Sequence, residues 1–455
     1  MNFDTHRAGI LLHPTSLPSG TLADAERWLD FLRDAGFSVW QMLPLGLPLV
    51  GLSPYQCASA FAVNPALFPL KDKHSPRIDM RRFVGWRNRQ RHWLDDYARF
   101  IIIKAAHGGA SWPDWPVPLR DRDPQALAAF DAAHAVALKI VMVDQYRAAM
   151  HWQRIRAAAA VRGIQLFGDM PIFVAHDSAD VWAQRHLFLL DAEGHPTVVA
   201  GVPPDYFSAT GQRWGNPHYN WPAMQADGFA WWRARLAAHF EWFDLVRIDH
   251  FRGLVAAWEI PAQEPTAIHG TWIPAPGAAL LQAIVDEMGE LPLVAEDLGI
   301  ITPEVTALRH QFGLPGMSVL QFAFDAHADN PHKPENVQPD TVYYTGTHDN
   351  DTTAGWWSSL PDAVRHQVMQ QIGVEDPAAL PDAMIDTVLH SRAALAMLPL
   401  QDVLHLGSAA RMNTPGTSSG NWSWRFEWDA LPPELAPRLL QQLQKAHRCE
   451  TPHLP

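Results

Sequence analysis

Short apolar runs that end in polar residues recur eight times along the chain. They lie at 9–14 (GILLHP), 38–45 (SVWQMLPL), 164–174 (IQLFGDMPIFV), 244–251 (DLVRIDHF), 293–298 (LVAEDL), 318–324 (SVLQFAF), 341–349 (TVYYTGTHD) and 396–404 (AMLPLQDVL). Near-continuous apolar runs suit strands of a parallel sheet that helices cover on both faces. The segments between them are rich in helix formers, as at 23–35, 130–161, 229–240 and 276–288, and Thr302 followed by Pro303 predicts a helix start over 303–313. Eight β/α alternations predict an α/β fold, a (β/α)8 TIM barrel, with a doubly wound open sheet as the structural rival. The spacing is uneven. We expect one unit over 1–455, with a rim insertion at about 52–160 between the second and third strands. A second insertion is expected at about 183–240, carrying a loop at 200–216.

Composition narrows the function classes. The 35 basic and 48 acidic residues give a net charge of −13, which argues against a nucleic-acid or anionic-membrane partner, since those recruit clustered Lys and Arg. Charged residues are 18% of the chain and hydrophobic ones 47%, so a large core is available. Two cysteines, Cys57 and Cys449, make neither a disulfide framework nor a Cys-rich zinc site, and fit a reducing compartment. The first residues lack a basic segment followed by a long apolar one, and no run reaches the roughly 18 apolar residues of a membrane span. The expectation is a cytoplasmic globular protein. Twenty tryptophans against seven tyrosines hint at flat surfaces suited to sugar rings, although most will serve the core.

In a barrel, groups at the C-terminal ends of the strands converge on one mouth. Three expected strands end there in acids: Asp249 in VRIDHFRG, Glu296 in LVAEDLG and Asp349 in TGTHDN. Cleaving a glycosidic bond develops positive charge at the anomeric carbon and negative charge on the leaving oxygen, and a carboxylate facing a carboxylic acid answers both. A pair about 5–5.5 Å apart attacks covalently and retains configuration. A lone strand-end Asp is often only a helix cap or ion-pair partner. Here each acid sits in a dense polar cluster that a core would find costly: Arg247/Asp249/His250/Arg252, Glu296/Asp297 and His348/Asp349/Asn350/Asp351. A metal site built from His348, Asp349 and Asp351 lacks a compact ligand signature, and the chemistry needs no metal.

The motifs resemble, nearly end to end, the 4-alpha-glucanotransferases (amylomaltases, disproportionating enzymes) of glycoside hydrolase family 77 in the alpha-amylase clan. The resemblance rests on GILLHPTSLPSG (9–20), SPYQCASAFAVNP (53–65), GDMPIFVAHDSADVW (168–182) and VAGVPPDYFSATGQRWGNPHYNW (199–221). It continues in VRIDHFRG (246–253), AEDLG (295–299), THDN (347–350) and LPLQDVLHLGSAARMNTPGTSSGNWSWR (398–425). It implies Asp249 as nucleophile, Glu296 as general acid/base and Asp349 as the third carboxylate, which grips sugar hydroxyls and stabilises the transition state. Arg247 would orient Asp249, His250 and His348 would bond hydroxyls of the sugar under attack, Tyr55 would stack beneath it, and Asp169 matches a further acid of the pattern. Each has a plainer reading: Arg247 as a structural ion pair, the histidines as hydrogen-bonded core residues, Tyr55 as a turn residue after Ser-Pro.

Transfer wins over hydrolysis when an acceptor is positioned and water kept out. The loop 200–216 (AGVPPDYFSATGQRWGN) resembles the family's cover over the acceptor side, which makes Phe207 and Trp214 candidate platforms and Asp205 a polar contact. These aromatics could equally just pin the loop to the barrel. The segment 406–424 looks like a second rim loop, where Asn421 and Trp422 match the family pattern. The residues after the last strand read as loop plus helix, so no amylase-type C-terminal β-sandwich is expected. The activity implied is transfer of a 1,4-alpha-glucan segment to the 4-hydroxyl of glucose or another glucan, by retaining double displacement without a cofactor. Partners would be maltooligosaccharides and other alpha-1,4-glucans. The rivals are an amylase-type retaining hydrolase using the same acids and a non-catalytic glucan-binding barrel.

Overall fold

A strand overlaps each of the eight apolar runs in the computed structural model, which describes residues 5–69, 78–204, 208–417 and 419–449. The sixth run meets its strand only at Ser318 and Val319 and then turns into the short helix Leu320–Phe322. The strands are β1 (Arg7–Leu11), β2 (Val39–Gln41), β3 (Gln165–Met170), β4 (Leu245–Ile248), β5 (Leu293–Ala295), β6 (Gly316–Val319), β7 (Thr341–Tyr344) and β8 (Leu395–Pro399). They are parallel and run in the order β6-β7-β8-β1-β2-β3-β4-β5. The ends meet between β5 and β6. There Ala295 N–H donates to the Pro315 carbonyl at 2.8 Å, and Asp297 Oδ1 accepts from Met317 N–H at 2.7 Å. The expected TIM barrel is the architecture observed.

Because side chains alternate along a strand, every second residue points into the barrel. One layer of inward residues is apolar: Val39, Phe167, Leu245, Val294, Met317, Val342, Leu395 and their neighbours are all 5% exposed or less. Space there is tight. A Cβ on Gly9 would lie 2.7 Å from both Val39 Cβ and Met397 Sδ, so β1 can cross this layer only as glycine. Two residues further along β3, β4 and β5 the same inward face carries Asp169, Arg247 and Glu296, and β4 continues to Asp249. Period two alone therefore sends the acids to the mouth.

The strands are shorter than the runs. The eighth run stops being strand at Pro399, which cannot donate to a ladder and instead precedes the helix Leu400–Val403. Thr302 precedes the helix Pro303–Gln311 in extended backbone, without a hydroxyl cap bond to it. The helix expected at 130–161 begins earlier, at Pro124, where Asp123 caps Gln125 and Ala126 N–H, and it bends at His134. This 38-residue helix, Pro124–Val161, is long and apolar enough to cross a membrane by length and composition, which corrects the expectation that no stretch qualifies. Its alanines raise the average hydropathy across Asp131 and Lys139. In the fold it forms an outer layer: Leu138, Met142, Tyr146, Trp152 and Ile155 are buried, Asp131 bridges to Arg99, and the Trp152 indole donates to the Trp242 carbonyl.

Above the barrel lies a four-stranded antiparallel sheet ordered Gln212–Pro217, Val198–Val202, Ala256–Pro261, Thr271–Pro274. Its first two strands lie in the expected insertion at 183–240. The other two come after β4, where the apolar runs predict no strands.

The seam between β5 and β6 makes a stability prediction. Asp297 Oδ2 also lies 3.3 Å from Arg309 Nε, within ion-pair distance though not aligned as a hydrogen bond, and both side chains are largely buried. A Cβ on Gly316 would meet this carboxylate at 2.6 Å. Replacing Asp297 with Ala strands the Met317 N–H, while Arg309 keeps its ion pair to Asp340 at 3.0 Å, and should cost about 1–3 kcal/mol. Urea unfolding monitored by tryptophan fluorescence measures it. Asp297→Asn keeps an acceptor and should lose less, and equal losses in the two variants would contradict this account.

Candidate active site

The register of the barrel ladder brings the chemistry together. Arg247 on β4 pairs with Asp169 on β3 and Val294 on β5, and Ile248 pairs with Ala295. One step further, Asp249 and Glu296 face each other across adjacent parallel strands. Asp249 N–H donates to Met170 C=O, Glu296 N–H to Ile248 C=O, and Phe251 N–H to Glu296 C=O, each at 3.0 Å. Neighbouring strands stand about 4.8 Å apart, which sets the scale of separation between the two acids.

Arg247 lies at the centre and is 5% exposed. Its Nη1 donates to both Asp169 oxygens at 2.9 and 2.7 Å, and Nη2 donates to Asp249 Oδ1 at 2.8 Å. Burial alone would lower the guanidinium pKa, but the Asp169 and Asp249 carboxylates outweigh it and hold the group well above its ordinary value. Arg247 is therefore a fixed cation. The structural ion pair and the orienting role are one arrangement.

Glu296 accepts from His250 N–H at 2.6 Å and from Leu298 N–H at 3.1 Å, which fixes both oxygens. Burial pushes its pKa up to about 7; the Asp249 charge adds to the rise, and Arg247 and the two N–H donors oppose it. His250 turns the chain with φ 52°, a left-handed conformation uncommon outside glycine, and this places its N–H on Glu296. The His250 ring is held neutral, its pKa lowered to about 4 chiefly by burial, and its Nε2 has no hydrogen-bond partner among the described residues. An unpaired buried ring nitrogen at a mouth is placed to meet a ligand hydroxyl.

On the opposite wall Tyr55 OH donates to Asp169 Oδ2 at 2.7 Å and lies 2.9 Å from His348 Nε2, with the two rings stacked at 5.3 Å. His348 Nε2 is in turn 3.5 Å from Asp349 Oδ1. A continuous polar chain therefore runs Asp349–His348–Tyr55–Asp169–Arg247–Asp249. Asp349 itself is about half exposed at the mouth (48%). Two residues that sequence reasoning missed hold it: Asn413 Nδ2 donates to its Oδ1 and Arg411 Nη2 to its carbonyl, both at 2.6 Å. They sit in the 398–425 motif, but no spacing rule marks a loop residue that reaches a strand end.

Trp214 is half-buried on the rim sheet, its edge against the His250 ring at 4.9 Å and its indole N–H donating to Gln212 Oε1. It also tilts against Phe173, so the contacts it makes are those of the pinning reading. Asn421 does not join the mouth's polar chain. Its amide accepts from Thr414 N–H and donates to the Thr417 carbonyl, internal bonds of the rim loop. Asp205 and Phe207 lie outside the described residues. Two cavities flank the site, about 420 Å³ behind His348 and about 660 Å³ behind Tyr55 and Asp169.

Comparison with known proteins agrees with this geometry. A family model described as 4-alpha-glucanotransferase matches residues 11–75 and 70–430. The 4-alpha-glucanotransferase of Thermus thermophilus is 46% identical, the alignment covering 97% of this chain and 98% of that protein. That of Synechocystis is 44% identical over 94% of this chain and 95% of its own. The amylomaltase from Streptococcus agalactiae, solved in complex with acarbose, superposes with a TM-score of 0.93 at 30% identity, covering 98% of this chain and 100% of that one. With three acids around a buried arginine at the barrel mouth and matches spanning nearly its whole length, the chain belongs to the family of 4-alpha-glucanotransferases, enzymes of glucan transglycosylation.

Proposed function

We propose that the protein carries a segment of 1,4-alpha-glucan to the 4-hydroxyl of glucose or another glucan by a retaining double displacement on Asp249. The observation that carries this reading is that Asp249 and Glu296 are register neighbours around one cation yet differ in environment. Arg247 Nη2 engages one Asp249 oxygen and leaves the other free to attack. Glu296, with its pKa raised to about 7, retains a proton to give.

In the first half, Asp249 bonds to the anomeric carbon, the glycosidic C–O bond breaks, and the Glu296 proton passes to the departing oxygen. In the second, Glu296 takes a proton from the acceptor 4-hydroxyl, whose oxygen displaces Asp249. Two inversions retain the alpha configuration, and one alpha-1,4 bond is made for each one broken. Asp349, His348, His250 and Tyr55 would hold the donor sugar between them, with Asp169, already bonded to Arg247 and Tyr55, supporting them from beneath. Trp214, with Asp205 and Phe207 of the cover loop, would seat the acceptor. The acarbose bound to the Streptococcus agalactiae amylomaltase supports a glucan-like ligand in such a mouth. A cytoplasmic setting fits the two free cysteines; the Cys57 thiol is pushed up to about 12 by burial and stays protonated.

Incubation with maltotriose tests the reaction class. Transfer gives glucose and longer chains at a constant number of reducing ends, whereas a rise in that number would mean hydrolysis. Asp249→Asn should abolish turnover in a folded protein, and retention of near-normal activity would remove Asp249 as nucleophile. Glu296→Gln should slow maltotriose by roughly 10²–10⁴-fold while hurting a glycosyl fluoride far less, because fluoride leaves without a proton. Equal damage to both donors would remove the acid role. The pH dependence has a definite sign as well. The acid form of Glu296 predominates below pH 7 and is lost above it, so kcat/KM should fall on the alkaline side with an apparent pKa near 7. A profile flat through that range would contradict the assignment.

A further inference from the structure

The rim loop that holds Asp349 ends in a residue with an unusual backbone. Trp422 adopts φ 61°, the left-handed region that bulky side chains rarely enter. The same loop uses glycine where other turns need positive φ, at Gly416 (80°) and Gly420 (81°). A glycine at 422 would satisfy the backbone equally well, so the indole is what the position keeps.

The fold over-determines this conformation. Trp422 N–H donates to the Met412 carbonyl at 2.7 Å, and the preceding Asn421 locks the turn by accepting from Thr414 N–H at 2.9 Å. The indole packs on the buried Leu11, Leu43 and Met412. From there its ring lies 6.1 Å from Tyr55 and 5.9 Å from His348, tilted at 52° and 39°. Those two rings are the aromatic links of the polar chain between Asp349 and Asp249. Tyr55 is only partly buried, and its hydroxyl is anchored at one end on Asp169 at 2.7 Å; the indole adds a side contact to the stacked pair that this end-on bond does not supply.

We infer that Trp422 is a positioning residue for the transfer reaction: its indole, held in a left-handed backbone, braces the Tyr55–His348 pair so that both meet the donor sugar in one geometry. This rests on the function proposed above. It also explains why one loop carries Arg411, Asn413 and Trp422 together: the first two fix Asp349, and the third fixes the rings beside it.

The test compares Trp422→Ala with Trp422→Phe in the full chain, using maltotriose and a maltosyl fluoride as donors. Loss of the brace misplaces groups at the reacting sugar, so kcat for Trp422→Ala should fall roughly 10–100-fold with a much smaller change in KM. The loss should be of similar size for the fluoride, because the defect lies in holding the sugar and not in proton transfer, unlike Glu296→Gln. Trp422→Phe keeps a ring on the pair and should recover most of kcat. A purely structural role would lower the melting temperature of both variants while leaving kcat unchanged below it, and that outcome overturns the proposal. A folded Trp422→Phe protein whose kcat falls roughly 10-fold or more below that of the unmodified protein overturns it too, and this outcome can be read even if the alanine variant fails to fold. Absence of transfer by the unmodified protein would instead mark failure of the functional reading itself.

Discussion

A buried guanidinium cannot remain unpaired, and the mouth of this barrel is organised around that requirement. Removing one partner of such a pair costs on the order of 3–5 kcal/mol, because the charge left behind has no water to take the partner's place. Arg247 meets the requirement with two carboxylates from different strands, Asp169 beneath and Asp249 beside it. Asp169 is 1% exposed and uses its remaining capacity on Tyr55. Satisfying one cation thus ties together the carboxyl of the proposed nucleophile, the phenol and, through the phenol, His348. The proposed catalytic geometry and the satisfaction of buried charge are the same set of bonds.

The two acids proposed to do the chemistry are neighbours across adjacent strands, yet they stand in different environments. Asp249 faces the cation directly. Glu296 faces backbone N–H groups and its own burial, with the Asp249 charge close enough to disfavour a second anion. The left-handed turn at His250 follows Asp249 directly and lays its N–H on Glu296. It also buries a ring nitrogen that has no hydrogen-bond partner among the described residues.

Period two made much of this legible. Strand ends point to Asp249 and Glu296 at one mouth, and the ladder register sets them side by side; Asp169 and Arg247 enter through the resemblance, although period two puts them on the same inward face once the strand bounds are known. The resemblance supplied roles that parity cannot, such as Tyr55 from a loop and His348 beyond the end of β7. What escaped were contacts made across large sequence separations by residues with ordinary local surroundings. Asn413 reaches Asp349 from a rim loop, Asp297 bonds Met317 across the barrel seam, and Ala256–Pro261 leaves β4 to complete a sheet begun at Val198. None of these carries a periodicity, because each depends on where the chain returns. Asn421 shows the converse. It matches the family pattern, yet its amide is consumed in shaping the loop that presents its neighbour.

Under the proposed mechanism the rim is where transfer and hydrolysis part, because the core site would treat water and a sugar hydroxyl alike once a glycosyl group is on Asp249. Two separate pieces of chain rise over the mouth. The rim sheet sets Trp214 against His250 on the side of the acid/base, and the Ser408–Trp422 region grips Asp349, His348 and Tyr55 on the other. Each piece touches a residue adjacent in sequence to a proposed catalytic acid: His250 after Asp249, His348 before Asp349. A displacement of either piece would therefore reach the proposed reacting centre without an intervening layer. With Asp249 and Glu296 placed by the ladder register and by Arg247, the proposed choice between water and an acceptor falls to these two covers.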